Sequence, residues 1–229
     1  MVTLDPLNVP EFPSTSRNNV EFFGCEREVS AEDVDRIVDF FRNASVSCFF
    51  FWLSPNPQME DIQRWLVDTG IKRWAGTGYP TLLRAADHLP EHSTELKVRR
   101  VSPDEALQYV PDINRIYSDP KFKSAFAESC GAPGLHHFLA FDGDRAVSAG
   151  ILGVADDLGS LGWMATAEDA RGRGGQSALI VARVNHAVDL GCRWVSGATL
   201  YALNSSLSNM QRRGFQIVYD KEVFGYGIP

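Results

Sequence analysis

Apolar residues recur at helical spacing in three stretches of the chain and form short strand-like runs between them. In "SAEDVDRIVDFFRN", Ser30 precedes Val34, Ile37, Val38, Phe40 and Phe41, and Asp33 stands three residues after the serine, as in a capped amphipathic helix. "QMEDIQRWLVDTG" carries Met59, Ile62, Trp65 and Leu66 on one side and stops at Gly70. A third stripe, Ile180, Val181, Val184, Ala187 and Val188, predicts a helix from about Gln176 to Leu190, ended by Gly191. "NSSLSNMQRRG" reads as a short helix, and Asp104 to about Phe126 as helical material. Strands are predicted at "VSCFFFWLSP", "LKVRRV", "HHFLAFDG", "RAVSAGILGVA", "SLGWMAT", "CRWVSGATL" and "FQIVYDKEVFGY", and a strand or hairpin at "IKRWAGTGYPTLLRAA". Asp142-Gly143-Asp144 and Asp156-Asp157 mark the turns of a three-strand meander, whereas residues 1–20, with three prolines, read as an irregular arm.

The pattern breaks at "DHLPEHSTELKVRR". A boundary near residues 87–95 divides the chain into an N-terminal α/β region, 1–90, and a second domain, 91–229. The second domain runs strand, helices, three antiparallel strands, glycine-rich loop, helix, strand, helix, strand, which predicts an α/β (α+β layered) fold with helices against a sheet.

Composition narrows the functional classes. At 229 residues, with 44% hydrophobic and 22% charged residues, the chain is long enough to bury a core without disulfides or structural metal. A net charge of -7 argues against a general nucleic-acid binder, which needs Lys and Arg to neutralise phosphates. The most apolar run, Val46 to Leu53, is too short to cross a bilayer, and the N-terminus lacks a basic region followed by an apolar run; a cytoplasmic protein with no membrane partner is the expectation. Cys25, Cys48, Cys130 and Cys192 are scattered and read as structural thiols, with no metal site.

The stretch "TAEDARGRGGQSALI" places Arg171-Gly172-Arg173-Gly174-Gly175 directly before the third helix. Four amides at a helix start have no intrahelical acceptor, and the helix dipole adds partial positive charge, so the position suits phosphate or pyrophosphate. Glycines permit left-handed angles and close ligand approach, and Arg171 and Arg173 offer charge-assisted bonds. A P-loop needs G-x-x-x-x-G-K-S/T, but Gln176-Ser177 follows Gly174-Gly175 without a lysine. A dinucleotide fingerprint needs a third glycine where Ser177 stands, and the acidic residue about twenty positions on is missing.

Residues 95–224 resemble the GNAT family, the GCN5-related N-acetyltransferases, in three features that occur in the family's order. Arg171-Gly172-Arg173-Gly174-Gly175-Gln176 is similar to the family's (Gln/Arg)-x-x-Gly-x-(Gly/Ala) loop, with Gln176 in place of the last small residue. Asn204 then opens a short helix, Ser206 to Arg212, and Gly214-Phe215 follows it. The resemblance implies a mixed, mostly antiparallel central sheet flanked by helices. It also implies acetyl-CoA, or another acyl-CoA, as co-substrate, with its pyrophosphate in the loop of Arg171, Gly172, Arg173, Gly174, Gly175, Gln176 and Ser177, on the amides of residues 172–177. Asn204 would flank the pantetheine arm, and Met164, Ala165 and Thr166 would offer backbone groups to it where their strand parts from the next. The activity implied is N-acyl transfer, direct and without metal, to a primary amine of a small molecule or peptide; oligomeric state stays open, a homodimer included.

Catalytic side chains are not assigned. The family's proton donor is often a Tyr four residues before the Gly of Gly-Phe, and that position holds Met210, which cannot donate a proton. Tyr201 and Tyr219 lie off that position, and Asn209 and Ser206 lack acid strength. Asp156, Asp157 and Glu168 read as solvated or capping carboxylates, and His186 as structural. His136 and His137 face opposite sides of a strand, so one at most reaches an acceptor groove. Arg212 and Arg213 read as solvated, with an approach to the 3′-phosphate as the functional alternative. Met210 keeps open a non-catalytic acyl-CoA-binding or regulatory protein. Residues 1–90 repeat the order helix, strand, helix, with Gly70-Ile71 where Gly214-Phe215 stands, and resemble a decayed GNAT-like half; "FFGCEREVSAED" has one glycine, so no acyl-CoA site is expected there.

Overall fold

The computed structural model describes residues 2–3, 18–46, 48–74, 78–117, 126 and 129–227. It divides into two compact units, Met1–Pro80 with Tyr219–Pro229, and Thr81–Val218. Most of the expected irregular arm, and the helical material expected at residues 118–125, lie outside the described residues.

In the first unit, Ser30 caps α1 (Ala31–Asn43) with the reciprocal box expected of it: its hydroxyl accepts from Asp33 N–H and the Asp33 carboxylate accepts from Ser30 N–H. β3 (Phe49–Leu53) is buried along its whole length. Phe49, Phe51 and Leu53 pack with Val34, Val38 and Phe41 of α1 and with Ile62 and Leu66 of α2 (Met59–Asp68). Phe50 and Trp52 point the other way, to Val223, Trp74 and Tyr79, as the period of two requires. β2 (Asn19–Glu21) pairs in parallel with β3 and antiparallel with β1 (Val2–Thr3), so the arm contributes two strands that its prolines concealed. β4 (Lys72–Arg73) and β3 both pair with the last residues of β11 (Gln216–Tyr226).

The second unit is a mixed, mostly antiparallel sheet between helices. Its order is β5 (Tyr79–Ala85), β10 (Trp194–Ala198), β9 (Leu158–Thr166), β8 (Arg145–Ala155), β7 (Leu135–Asp142) and β6 (Lys97–Val101). Every pair is antiparallel except β9 with β10. Of the strand or hairpin expected at residues 71–86, the strand is present: β5 pairs with β10, and β4 with β11. Leu179, Ile180, Val184 and Ala187 of α5 (Gly175–Asp189) and Met210 of α6 (Asn204–Gln211) cover one face, against Leu82, Phe138, Leu152, Leu161 and Val195. The other face carries α3 (Pro103–Gln108) and α4 (Val110–Ile116), whose Ala106, Ile113 and Ile116 meet Leu139, Ala149 and Ile151.

The division differs from the boundary expected near residues 87–95. That segment has no regular structure, yet it is bound to the second unit: the side-chain amide of Asn185 clamps Leu89, accepting from its N–H at 2.7 Å and donating to its carbonyl at 2.9 Å. Thr94 Oγ1 donates to the Arg173 carbonyl at 2.7 Å.

Asp33 also accepts from the guanidiniums of Arg27 and Arg36, and these bonds hold its carboxyl well below the usual carboxylate range. A depressed folded-state pKa stabilises above the unfolded value and loses that contribution as pH falls. The thermal midpoint of Asp33→Asn is therefore expected below wild type at pH 7, with the gap closing below about pH 4. Ser30→Ala is expected to cost about 1 kcal/mol in denaturant titration.

Candidate functional site

The parallel ladder between β9 and β10 is short. Leu158 to Leu161 pair with Trp194 to Gly197, and Gly162 to Thr166 have no partner on β10. On its other side β9 carries an extra residue, since Ala149 and Ile151 of β8 oppose Ala165 and Gly162. Trp163 sits in this bulge with φ 54°, and its carbonyl accepts from the Tyr117 hydroxyl. A bulge sharpens the local twist, and here it accompanies the parting of the strands. Met164, Ala165 and Thr166 thus lie on the diverging part of β9.

Beyond Thr166, a 3-10 turn (Glu168–Ala170) leads into the glycine loop and α5. Gly172 and Gly174 take positive φ, 78° and 84°, and Gly174 is the N-cap of α5. Ala178 N–H makes the first helical bond, to Gly174 O. Among the described residues, the amides of Gly172 to Ser177 have no hydrogen-bond acceptor. Gly175 seats the helix start on the sheet: a Cβ there would lie 2.6 Å from Ser148 Oγ and 3.1 Å from Leu96 Cδ1. Ser148 in turn donates to Thr166 Oγ1 at 2.9 Å, joining β8, β9 and the loop.

The side chains divide between holding the loop and leaving it open. Arg171 is exposed. Arg173 makes a two-pronged ion pair with Asp142, at 2.6 and 3.1 Å, which lowers the Asp142 carboxyl, so its charge braces the loop against β7. Gln176 turns to α6, donating to Ser206 Oγ at 3.2 Å and accepting from the Asn209 amide. Ser177 Oγ also reaches Asn209, at 3.4 Å. Asn204 is exposed at the start of α6. His92, from the segment before β6, lies on the loop: a Cβ on Gly174 would be 2.9 Å from its Nε2. Its Nδ1 accepts from Arg213 Nη2 at 2.7 Å, since a guanidinium can only donate, which leaves the Nε2 proton toward the loop. Burial, and then Arg213, lower the His92 pKa and keep the ring neutral.

The candidate acid–base residues separate clearly. Met210 is buried against β10, where a Cβ on Gly197 would meet its Cε at 2.5 Å, so this position is core. Asp156 and Asp157 form the β8–β9 turn, roughly 30 Å along the strand from Thr166, with Asp157 paired to Arg193. Glu168 is exposed in the 3-10 turn. His136 and His137 do face opposite ways: His136 stacks edge-on with His186 on the α5 side, and His137 packs on Phe126. His137 Nε2 lies 2.9 Å from Ser129 Oγ. The serine's one proton goes to the Phe126 carbonyl, so His137 donates to Ser129, and the pair is not arranged as nucleophile and base. Burial pulls the His137 pKa down to about 4. Tyr219 belongs to the first unit, near Ser54.

Sequence reasoning missed Asp142, His92 and, above all, Arg183, which is wholly buried under the β9 bulge. Its signal was present: Arg183 interrupts the apolar stripe of α5 three residues after Ile180.

Gly175→Ala is expected to destabilise the second unit by roughly 1–3 kcal/mol through overpacking. Adding Ser148→Ala removes the nearest clash, and chemical denaturation should show partial recovery in the double variant.

No protein-family model matches the chain, and no curated protein matches it. Solved structures do match in fold. A functionally unknown conserved protein from Staphylococcus epidermidis superposes with a TM-score of 0.66 at 13% identity, covering 100% of this chain and 90% of that one. A GCN5-related N-acetyltransferase from Kribbella flavida gives 0.60 at 14% identity, over 93% and 80%. A tandem GNAT protein from the clavulanic acid biosynthesis pathway gives 0.64 at 13% identity, over 85% and 68%. At such identities the likeness establishes one thing, that this chain has the fold of the GNAT acetyltransferases.

Proposed function

We propose that this chain binds an acyl-CoA, acetyl-CoA by default, and transfers its acyl group to a primary amine of a small molecule or peptide. The observation that carries the reading is the row of amides from Gly172 to Ser177 at the start of α5, next to the point where β9 and β10 part. The row suits a pyrophosphate, and the parted strands suit a pantetheine arm bound through main-chain groups of Met164, Ala165 and Thr166. Arg173 would act by bracing the loop, and Gln176 by fixing α6, with Asn204 at its start, beside the arm. Transfer needs mainly positioning and stabilisation of the carbonyl oxygen, both within reach of a backbone site.

A specific observation favours a second reading. Met210 is core, so no side chain at that position protonates the leaving sulfur, and a protein that binds acyl-CoA without turnover fits the same loop. The first unit fits a decayed half of the same kind. α2 and α6 end alike, with Gly70 at φ 83° and Ile71 N–H on Leu66 O, and Gly214 at φ 82° and Phe215 N–H on Met210 O. α5 ends in the same way at Gly191-Cys192, so the shared order of elements carries more weight than the cap.

Calorimetry with acetyl-CoA is expected to show saturable binding, weakened about tenfold or more by Gly174→Ala, whose side chain must enter a left-handed backbone against His92. Release of free CoA with a panel of amino acids, polyamines, aminoglycosides and peptides supports the enzyme. Binding without release across the panel supports the second reading, and absence of binding overturns both.

A further inference from the structure

Among the described residues, Arg183 is the largest fully buried side chain. Its Nε donates to Leu179 O at 3.0 Å, one turn back on α5. Nη1 donates to Ile151 O of β8 at 3.0 Å and to Gly162 O of β9 at 3.1 Å, and Nη2 reaches the Met164 thioether at 2.8 Å. Gly150 makes the room, since a Cβ there would lie 2.9 Å from the guanidinium carbon. No carboxylate faces the group among the described residues; the other titratable neighbour is the phenol of Tyr117, itself held neutral by burial.

Burying an ion costs several kcal/mol unless its surroundings repay it. Donating to two strand carbonyls does not require a charge, because a neutral amide would do so. The fork is placed under Gly162, the first β9 residue without a β10 partner, and one of its donors is spent on sulfur, a weak acceptor. Burial lowers its pKa only to about 10, so the cation persists at neutral pH.

Building on the acyl-CoA reading, we propose that Arg183 is a positioning residue for acyl transfer: it fixes the Gly162–Met164 bend that presents the β9 backbone to the thioester carbonyl, and its charge favours the oxyanion formed there. The amine nitrogen bonds to the carbonyl carbon while the carbonyl π pair moves to oxygen. The pair then returns, the C–S bond breaks, and sulfur leaves with its bonding pair and takes up the proton given up by the amine. The products are the amide and free CoA thiol. A cation beneath the bend eases both the oxygen-centred and the sulfur-centred charge, at a site where Met210 supplies no acid.

The test compares Arg183→Met, Arg183→Gln and Arg183→Lys in the full chain. In the ligand-free protein, amide exchange at Gly162 to Thr166 is expected to rise about tenfold or more in Arg183→Met, with β7 unchanged. CoA affinity should fall only a few-fold, because the pyrophosphate loop lies about 12 Å away along α5 and keeps its structure, while the loosened Met164–Thr166 backbone weakens the hold on the pantetheine arm. The carbonyl 13C shift of bound [1-13C]acetyl-CoA should return toward its free value, and kcat should fall about 100-fold, far more than KM rises. Arg183→Lys should recover part of both readouts, and Arg183→Gln, which keeps donors without charge, should recover the exchange protection alone. Unchanged exchange and an unchanged 13C shift in Arg183→Met overturn the proposal, and if that variant does not fold, a wild-type 13C shift in Arg183→Gln does so. Wild-type protein that binds no acetyl-CoA overturns the acyl-CoA reading and the thioester role with it, while the exchange result still decides whether Arg183 holds β9.

Discussion

β9 and β10 pair in parallel for four residues and then diverge, and the second unit is arranged around that divergence. A strand that leaves its ladder exposes main-chain donors and acceptors, and each needs a partner if it is buried. The bulge at Gly162 to Ala165 turns the strand, Tyr117 takes the Trp163 carbonyl, and Arg183 takes the Gly162 carbonyl from below. On the β10 side Met210 fills the space over Gly197. The gap is thus held from three directions, by Met210 and Tyr117 packed in the core and by Arg183 held by its hydrogen bonds.

The glycine loop depends on the same scaffold. Gly175 admits Ser148, Ser148 bonds Thr166, and Thr166 ends β9, so the start of α5 is registered to the parted strand by direct contacts. Arg173 and Gln176 work sideways, to β7 and to α6. The consequence is a row of unbonded amides on a backbone braced on each side, which is what recognition of a phosphate by main chain needs. Exposed arginine alone would supply charge without that geometry.

Much of this was legible in the sequence where a local rule was strong. The Ser30 cap, the meander with its Asp-Gly turn and the helix after the glycines follow from periodicity and turn chemistry, and each is present. The loop was legible as a candidate anion site because few local structures need Gly172, Gly174 and Gly175 together. Long-range choices were not legible. β5 joins β10, and β11 returns to the first unit, because pairing partners far apart in sequence leave no local mark. Arg173 reads as a phosphate ligand until Asp142, thirty-one residues earlier, is seen beside it. Gln176 reads as a flaw in a motif until Ser206 and Asn209 appear opposite. Arg183 was visible only as a charge in an apolar stripe, and its role follows from a bulge that periodicity does not announce.

The central claim is that the loop amides and the parted strands form one continuous ligand site. A crystal structure with acetyl-CoA bound addresses it most directly. The account predicts pyrophosphate on the amides of Gly172 to Ser177, and the pantetheine arm between β9 and β10 with its thioester beside Gly162 to Met164. Pyrophosphate elsewhere, or an arm that leaves the strand gap empty, would contradict it.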